Sequence, residues 1–166
     1  MFLFLLFGFA NGQKMTIILV RHAEKDTSPT ADKKNPDLTE AGKQRAEKLL
    51  QTVKKYQPQE INSTNLTRTR ATVTPLAVNL HDKYRLQIQI YDPSELEKFA
   101  EKLLASNYTS IVVVGHSNTT PTLANLLIKE NKYKDLPDSE YGKIWIVEIK
   151  KKKKKPNKIR EKVIDY

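Results

Sequence analysis

Two short runs constrain this chain more than any other feature: Met15-Thr-Ile-Ile-Leu-Val20 and Ser110-Ile-Val-Val-Val114. Both are rich in β-branched apolar residues and lack polar alternation, the pattern of strands buried on both faces. Such strands need helices on each side, and the sequence between and after them supplies helices. From Leu38 to Tyr56, apolar residues at 38, 41, 46, 49, 50, 53 and 56 follow helical spacing, with Asp37 or Thr39 as cap. Residues 26–37 hold Pro29, Asn35 and Pro36 and read as a loop. Glu60–Ser63 is a short strand, and a helix lies within 67–82, where Pro75 kinks it or marks its restart. Leu86–Tyr91 alternates as a strand. Ser94 and Glu97 make a capping box for a helix whose inner face is Leu96, Phe99, Leu103 and Leu104. Thr120-Pro121 opens a further helix over Leu123, Ala124, Leu127 and Ile128, with proline at the first position. Ile144–Ile149 is the last strand. The expected fold is α/β, a three-layer αβα sandwich around a mostly parallel central sheet.

Composition narrows the chemistry. None of the 166 residues is cysteine, which excludes disulfide frameworks, thiolate metal sites and cysteine nucleophiles. Three histidines, His22, His81 and His116, are too few for most all-histidine metal sites, so neither a metal nor a cofactor is expected. The net charge of +10 suggests a polyanionic partner until it is located. Residues 150–166 carry nine basic against two acidic residues, so +7 of the excess sits there and the body is mildly basic. Such a run reads as a solvated tail or an exposed strand edge, not as a specific nucleic-acid site. Residues 1–12 begin with the apolar MFLFLLFGFA, too short to span a bilayer and ending in small residues suited to a signal peptidase. They are read as an export signal, with a cytoplasmic protein if translation starts at Met15. The expected division is therefore 1–12 signal, 13–149 folded domain and 150–166 lysine-rich tail. Four glycosylation-type sequons begin at Asn62, Asn65, Asn107 and Asn118. Glycans on those beside the reactive segments would block the site, so the export expected is to a bacterial periplasm.

The two buried strands end alike. Val20 is followed by Arg21-His22 and Val114 by Gly115-His116. In open α/β sheets ligands bind at the carboxyl ends of strands. If the two strands are parallel neighbours, the imidazoles face one another across a single site. Histidines beside arginine suit an anion: imidazole can attack or move protons, and guanidinium grips oxyanions. Ser63-Thr-Asn-Leu-Thr-Arg68-Thr-Arg70 also follows a strand and opens a helix, adding guanidinium and a helix N-terminus.

Four blocks in this order, Leu19-Val-Arg-His-Ala-Glu-Lys25, Asp37-Leu-Thr-Glu-Ala-Gly-Lys-Gln-Arg-Ala46, Ser63-Thr-Asn-Leu-Thr-Arg-Thr-Arg-Ala-Thr72 and Val114-Gly-His-Ser-Asn-Thr119, resemble the histidine phosphatase superfamily, in its short, cap-less, phosphoglycerate mutase-like branch. The resemblance implies that His22 takes the phosphoryl group, that Arg21 and Arg68 bind its oxygens, and that His116 completes the pocket. It prefers Arg68 to Arg70, because the family's arginine stands five residues after the leading serine. Ser117 is expected to offer a backbone N–H to phosphate. The acid that would protonate the leaving group is not identified; Glu24, Asp92 and Glu95 are the candidates. His81 reads as a surface histidine, and Tyr91, Tyr141 and Trp145 as packing residues. The implied function is metal-independent hydrolysis of small phosphomonoesters through phosphohistidine. The alternatives are a phosphohistidine-protein phosphatase and a non-catalytic phosphate- or polyanion-binding module. Neither a transmembrane segment nor an oligomeric state is indicated.

Overall fold

The computed structural model describes residues 13–84, 86–152 and 156–166. The export-signal reading of residues 1–12 lies outside the described residues. In chain order the elements are β1 (Lys14–Arg21), α1 (Glu40–Val53) with a 3-10 turn (Lys54–Tyr56), β2 (Glu60–Ser63), α2 (Thr67–Tyr84), β3 (Ile88–Ile90), α3 (Leu96–Ala105), β4 (Ser110–Gly115), α4 (Thr119–Ile128), β5 (Lys143–Lys150) and β6 (Lys158–Asp165). They build one six-stranded sheet of order β3-β2-β4-β1-β5-β6. The first four strands in that order are mutually parallel, and β5 and β6 continue the sheet antiparallel.

The two apolar runs are the central strands. Ile17, Ile18, Leu19 and Val20 are wholly buried, as are Ile111, Val112 and Val114. The pleat sends Ile17 and Leu19 into one core with Phe99, Leu103, Leu123 and Leu127 of α3 and α4. It sends Ile18 and Val20 into the other with Leu49, Val53, Val73 and Leu76 of α1 and α2. Each such side chain contributes about 1.5–3 kcal/mol through burial, so the three-layer sandwich follows from the absence of alternation in these runs.

Differences from the sequence reading are local. Ile144–Ile149 is not the last strand: Lys158–Asp165 pairs with β5 along its full length. This strand was hidden because its half-buried positions, Ile159 and Ile164, sit among charges on an edge with one partner. The capping box at Ser94 does not form. Ser94 N–H and its hydroxyl instead both donate to Asp92, making a turn, and α3 starts two residues later. Pro121 is the third residue of α4, not the first; Asn118 caps the helix by accepting from Thr119 N–H. Pro75 does not interrupt α2, which is packed between α1 and the sheet.

Candidate active site

The site forms where β1 and β4 end together. Their parallel register pairs Val20 with Val114 and Arg21 with Gly115, so the chain delivers His22 and His116 side by side. His22 N–H donates to Gly115 O at 2.9 Å. The two imidazole rings stand 5.5 Å apart between centroids, inclined at 66°.

His22 is 4% exposed. Its Nδ1 is 2.8 Å from the Ala23 carbonyl, which can only accept, so Nδ1 carries the proton and Nε2 the lone pair. Burial lowers its pKa to about 3, beyond what the Ala23 bond restores, and Arg68, His116 and Arg21 lower it further. The loop after His22 is held from two sides. Thr72 of α2 accepts from Ala23 N–H at 2.9 Å and donates to Arg68 O at 2.7 Å. On the other side α1 presses against Glu24, where a Cβ at Gly42 would stand 2.4 Å from the Glu24 carbonyl oxygen. His116 Nε2 lies 3.0 Å from Thr64 Oγ1. Thr64 donates onward to Thr69, whose hydroxyl ends on backbone carbonyls, so the Thr64 oxygen accepts from His116 Nε2–H. Burial and then Arg68, Arg21 and Lys25 bring the His116 pKa down to about 4. Both rings are therefore neutral near pH 7.

The two expected arginines flank the pair. Arg21 is 4% exposed. Its Nη1 donates to Pro137 O at 2.8 Å and Glu140 O at 2.6 Å, its Nη2 to Asp138 O at 3.1 Å, and Tyr141 stacks on it at 4.2 Å. Arg68, second residue of α2, is half-buried, and burial makes its charged form less favourable than in water. The Nε–H groups of both arginines are buried without a partner among the described residues. A buried, unpaired charged donor costs free energy, and an oxyanion would satisfy both. Arg70 is exposed on the same helix, and His81 lies exposed further along it.

The comparisons with known proteins bear on the family and the fold. Residues 17–92 match the model of the histidine phosphatase superfamily, branch 1. Over this stretch the chain is similar to that superfamily. The fold is that of the SixA candidate phosphohistidine phosphatase of Agrobacterium tumefaciens (TM-score 0.62, 21% identity, 91% of this chain and 96% of that one). It is also that of the protein histidine phosphatase SixA solved with tungstate (0.60, 13%, 91% and 97%). A mycobacterial glucosyl-3-phosphoglycerate phosphatase shares it too (0.61, 15%, 82% and 91%). No curated protein sequence matches the chain significantly.

The other candidate residues fall as follows. Ser117 sits in the turn entering α4, and its carbonyl accepts from Leu136 N–H at 2.9 Å. Glu24 is engaged bidentately by Arg45, at 2.9 Å to both oxygens from Nε and 2.6 Å from Nη2. Burial raises its pKa, but the Arg45 contacts outweigh this and leave it below the ordinary carboxylate range. Asp92 is tied into the Ser94 turn, and its pKa is lowered by those bonds. Glu95 pairs with Lys98 at the start of α3. Tyr91 and Trp145 pack in the core as expected, whereas Tyr141 does not: its ring stands 6.2 Å from that of His22 and forms a wall of the site. The whole segment Leu136–Gly142, between α4 and β5, was missed. It grips the site through backbone carbonyls, which no side-chain pattern encodes.

Proposed function

We propose that the chain is a phosphatase that hydrolyses small phosphomonoesters through a phosphohistidine on His22, without a metal. One observation carries this reading: the unprotonated Nε2 of a neutral His22 lies in a pocket with two guanidinium groups whose buried Nε–H donors have no partner. A phosphoryl dianion supplies what both donors lack. In the first step His22 Nε2 forms a bond to phosphorus as the bond to the leaving oxygen breaks. Arg21 and Arg68 offset the charge on the equatorial oxygens, and His116 closes the pocket beside them. In the second step water attacks phosphorus, the P–N bond breaks, phosphate departs and the His22 lone pair is restored. The leaving oxygen takes its proton from solvent, because Glu24, Asp92 and Glu95 are each committed elsewhere. Substrates with good leaving groups, aryl, acyl and phosphoramidate phosphates, are accordingly favoured.

The first test is hydrolysis of a chromogenic aryl phosphate. Wild type turns over with EDTA present, and His22→Ala loses at least about 10³-fold in kcat. A wild type that binds phosphate but never turns over would instead place the chain among non-catalytic binding modules, and loss of activity on chelation would overturn the metal-free scheme.

A further inference from the structure

One short segment restrains the Arg21 guanidinium both within its plane and across it. Between α4 and β5 the chain makes a tight turn, closed by Glu140 N–H on Pro137 O at 3.0 Å. Its ends are tied down by Leu136 N–H on Ser117 O and by Tyr166 N–H on Gly142 O, each at 2.9 Å. The turn brings the carbonyls of Pro137, Asp138 and Glu140 onto Arg21 Nη1 and Nη2. A guanidinium has five N–H donors in one fixed plane. These carbonyls use three of them, and Nε–H, buried and without a partner among the described residues, lies on the edge that remains. That edge is one with which arginine grips an oxyanion.

Bonds made in the plane leave the group free to tilt out of it, and charge favours tilting. Burial disfavours the charged form of Arg68, the Tyr141 hydroxyl offsets part of this, and the Arg21 charge adds to it, so the two guanidinium groups repel. The Asp138 carboxylate, 3.7 Å from Arg21 Nη2, is exposed and screened by water. The restraint across the plane is Tyr141, whose ring centre lies 4.2 Å from Arg21 Cζ and 6.2 Å from the His22 ring. The face of an aromatic ring is negative and attracts a cation laid on it, most strongly where water is excluded. Arg21 is such a cation, at 4% exposed.

We propose that Tyr141 is a positioning residue, whose ring holds the Arg21 guanidinium in the plane from which its Nε–H edge meets the phosphoryl oxygens. This rests on the phosphoryl-transfer reading of the site. The ring acts on the reaction through Arg21, and its hydroxyl is not required. A donor aimed before the reaction needs no reorganisation during it.

A double-mutant cycle on kcat/KM for an aryl phosphate tests this. Tyr141→Phe stays within about twofold of wild type, and Tyr141→Leu loses about tenfold. In an Arg21→Ala background Tyr141→Leu costs less than about twofold, because the group it positions is gone. A ring that touched substrate, or served only the fold, would cost as much in either background. Equal losses in both backgrounds, or a loss in Tyr141→Phe as large as that in Tyr141→Leu, would overturn the inference. If Tyr141→Leu does not fold, Tyr141→pentafluorophenylalanine takes its place in the cycle, since it keeps the ring's shape and reverses the charge of its face. If wild type does not turn over, the proposed reaction fails and not this inference: the same cycle is then read on binding of inorganic phosphate, with the same two outcomes.

Discussion

At the scale of single residues, electrostatics sets how the site behaves. Both imidazoles are held well below the ordinary histidine range, at about 3 for His22 and about 4 for His116, chiefly by burial. On acidification the unfolded chain therefore takes up protons before the folded one does. The ligand-free protein is indifferent to these groups above about pH 6.5 and loses stability from there toward the folded values, with a slope of up to about 1.4 kcal/mol per pH unit for each histidine. Denaturant melts at pH 7 and 4.5 check this: wild type loses more stability between them than His22→Gln/His116→Gln does. The acid limb of kcat/KM set by His22 likewise falls toward pH 3 instead of 6.5. The arginines divide sharply. Arg68→Ala lowers kcat/KM by roughly 10² or more, whereas Arg70→Ala, on an exposed position, stays within a few-fold; an aryl phosphate assay of both reads the contrast. His22, His116 and Arg21 were legible in the sequence because each lies within two residues of a strand end, where topology dictates position, whereas Arg68 was told from Arg70 by the family resemblance alone. Tyr141 was not legible, because a lone aromatic in a polar segment has no periodicity to distinguish wall from filler.

Among the elements, the loop after His22 and the segment before β5 decide how firmly the site is held. α1 approaches the loop so closely that only glycine fits at 42, and Glu24 returns the contact by pairing with Arg45 of the same helix. Arg45 reaches on to the Tyr166 carbonyl at 2.9 Å, and Tyr166 N–H bonds Gly142 O. Gly142 itself has φ +82°, closing the segment that grips Arg21. One helix thus ties the loop, the chain's end and the Arg21 clamp together. Gly42→Ala forces α1 and the loop apart and costs about 1–3 kcal/mol; thermal unfolding measures the loss, and kcat falls with it because His22 is displaced. The helices themselves were readable from spacing and caps, Thr39 included. The capping box at Ser94 misled because Asp92, two residues earlier, competes for the same hydroxyl and N–H.

For the molecule as a whole, the sheet was readable wherever burial is two-sided, since apolar runs without alternation admit one placement. It was unreadable at β6, where a strand with one neighbour and a charged face resembles a solvated tail. That strand changes the meaning of the net charge: part of the lysine excess belongs to a folded surface at the opposite end of β1 from the histidines. The reaction proposed for the other end has one direct test. Wild type mixed with an aryl phosphate, quenched within the first turnovers and digested under alkaline conditions, is mapped by mass spectrometry. The account predicts one acid-labile phosphoryl group on the peptide containing His22, attached at Nε2, and none in His22→Ala. Turnover in wild type with no phosphoryl group on His22, or with undiminished hydrolysis by His22→Ala, would contradict it.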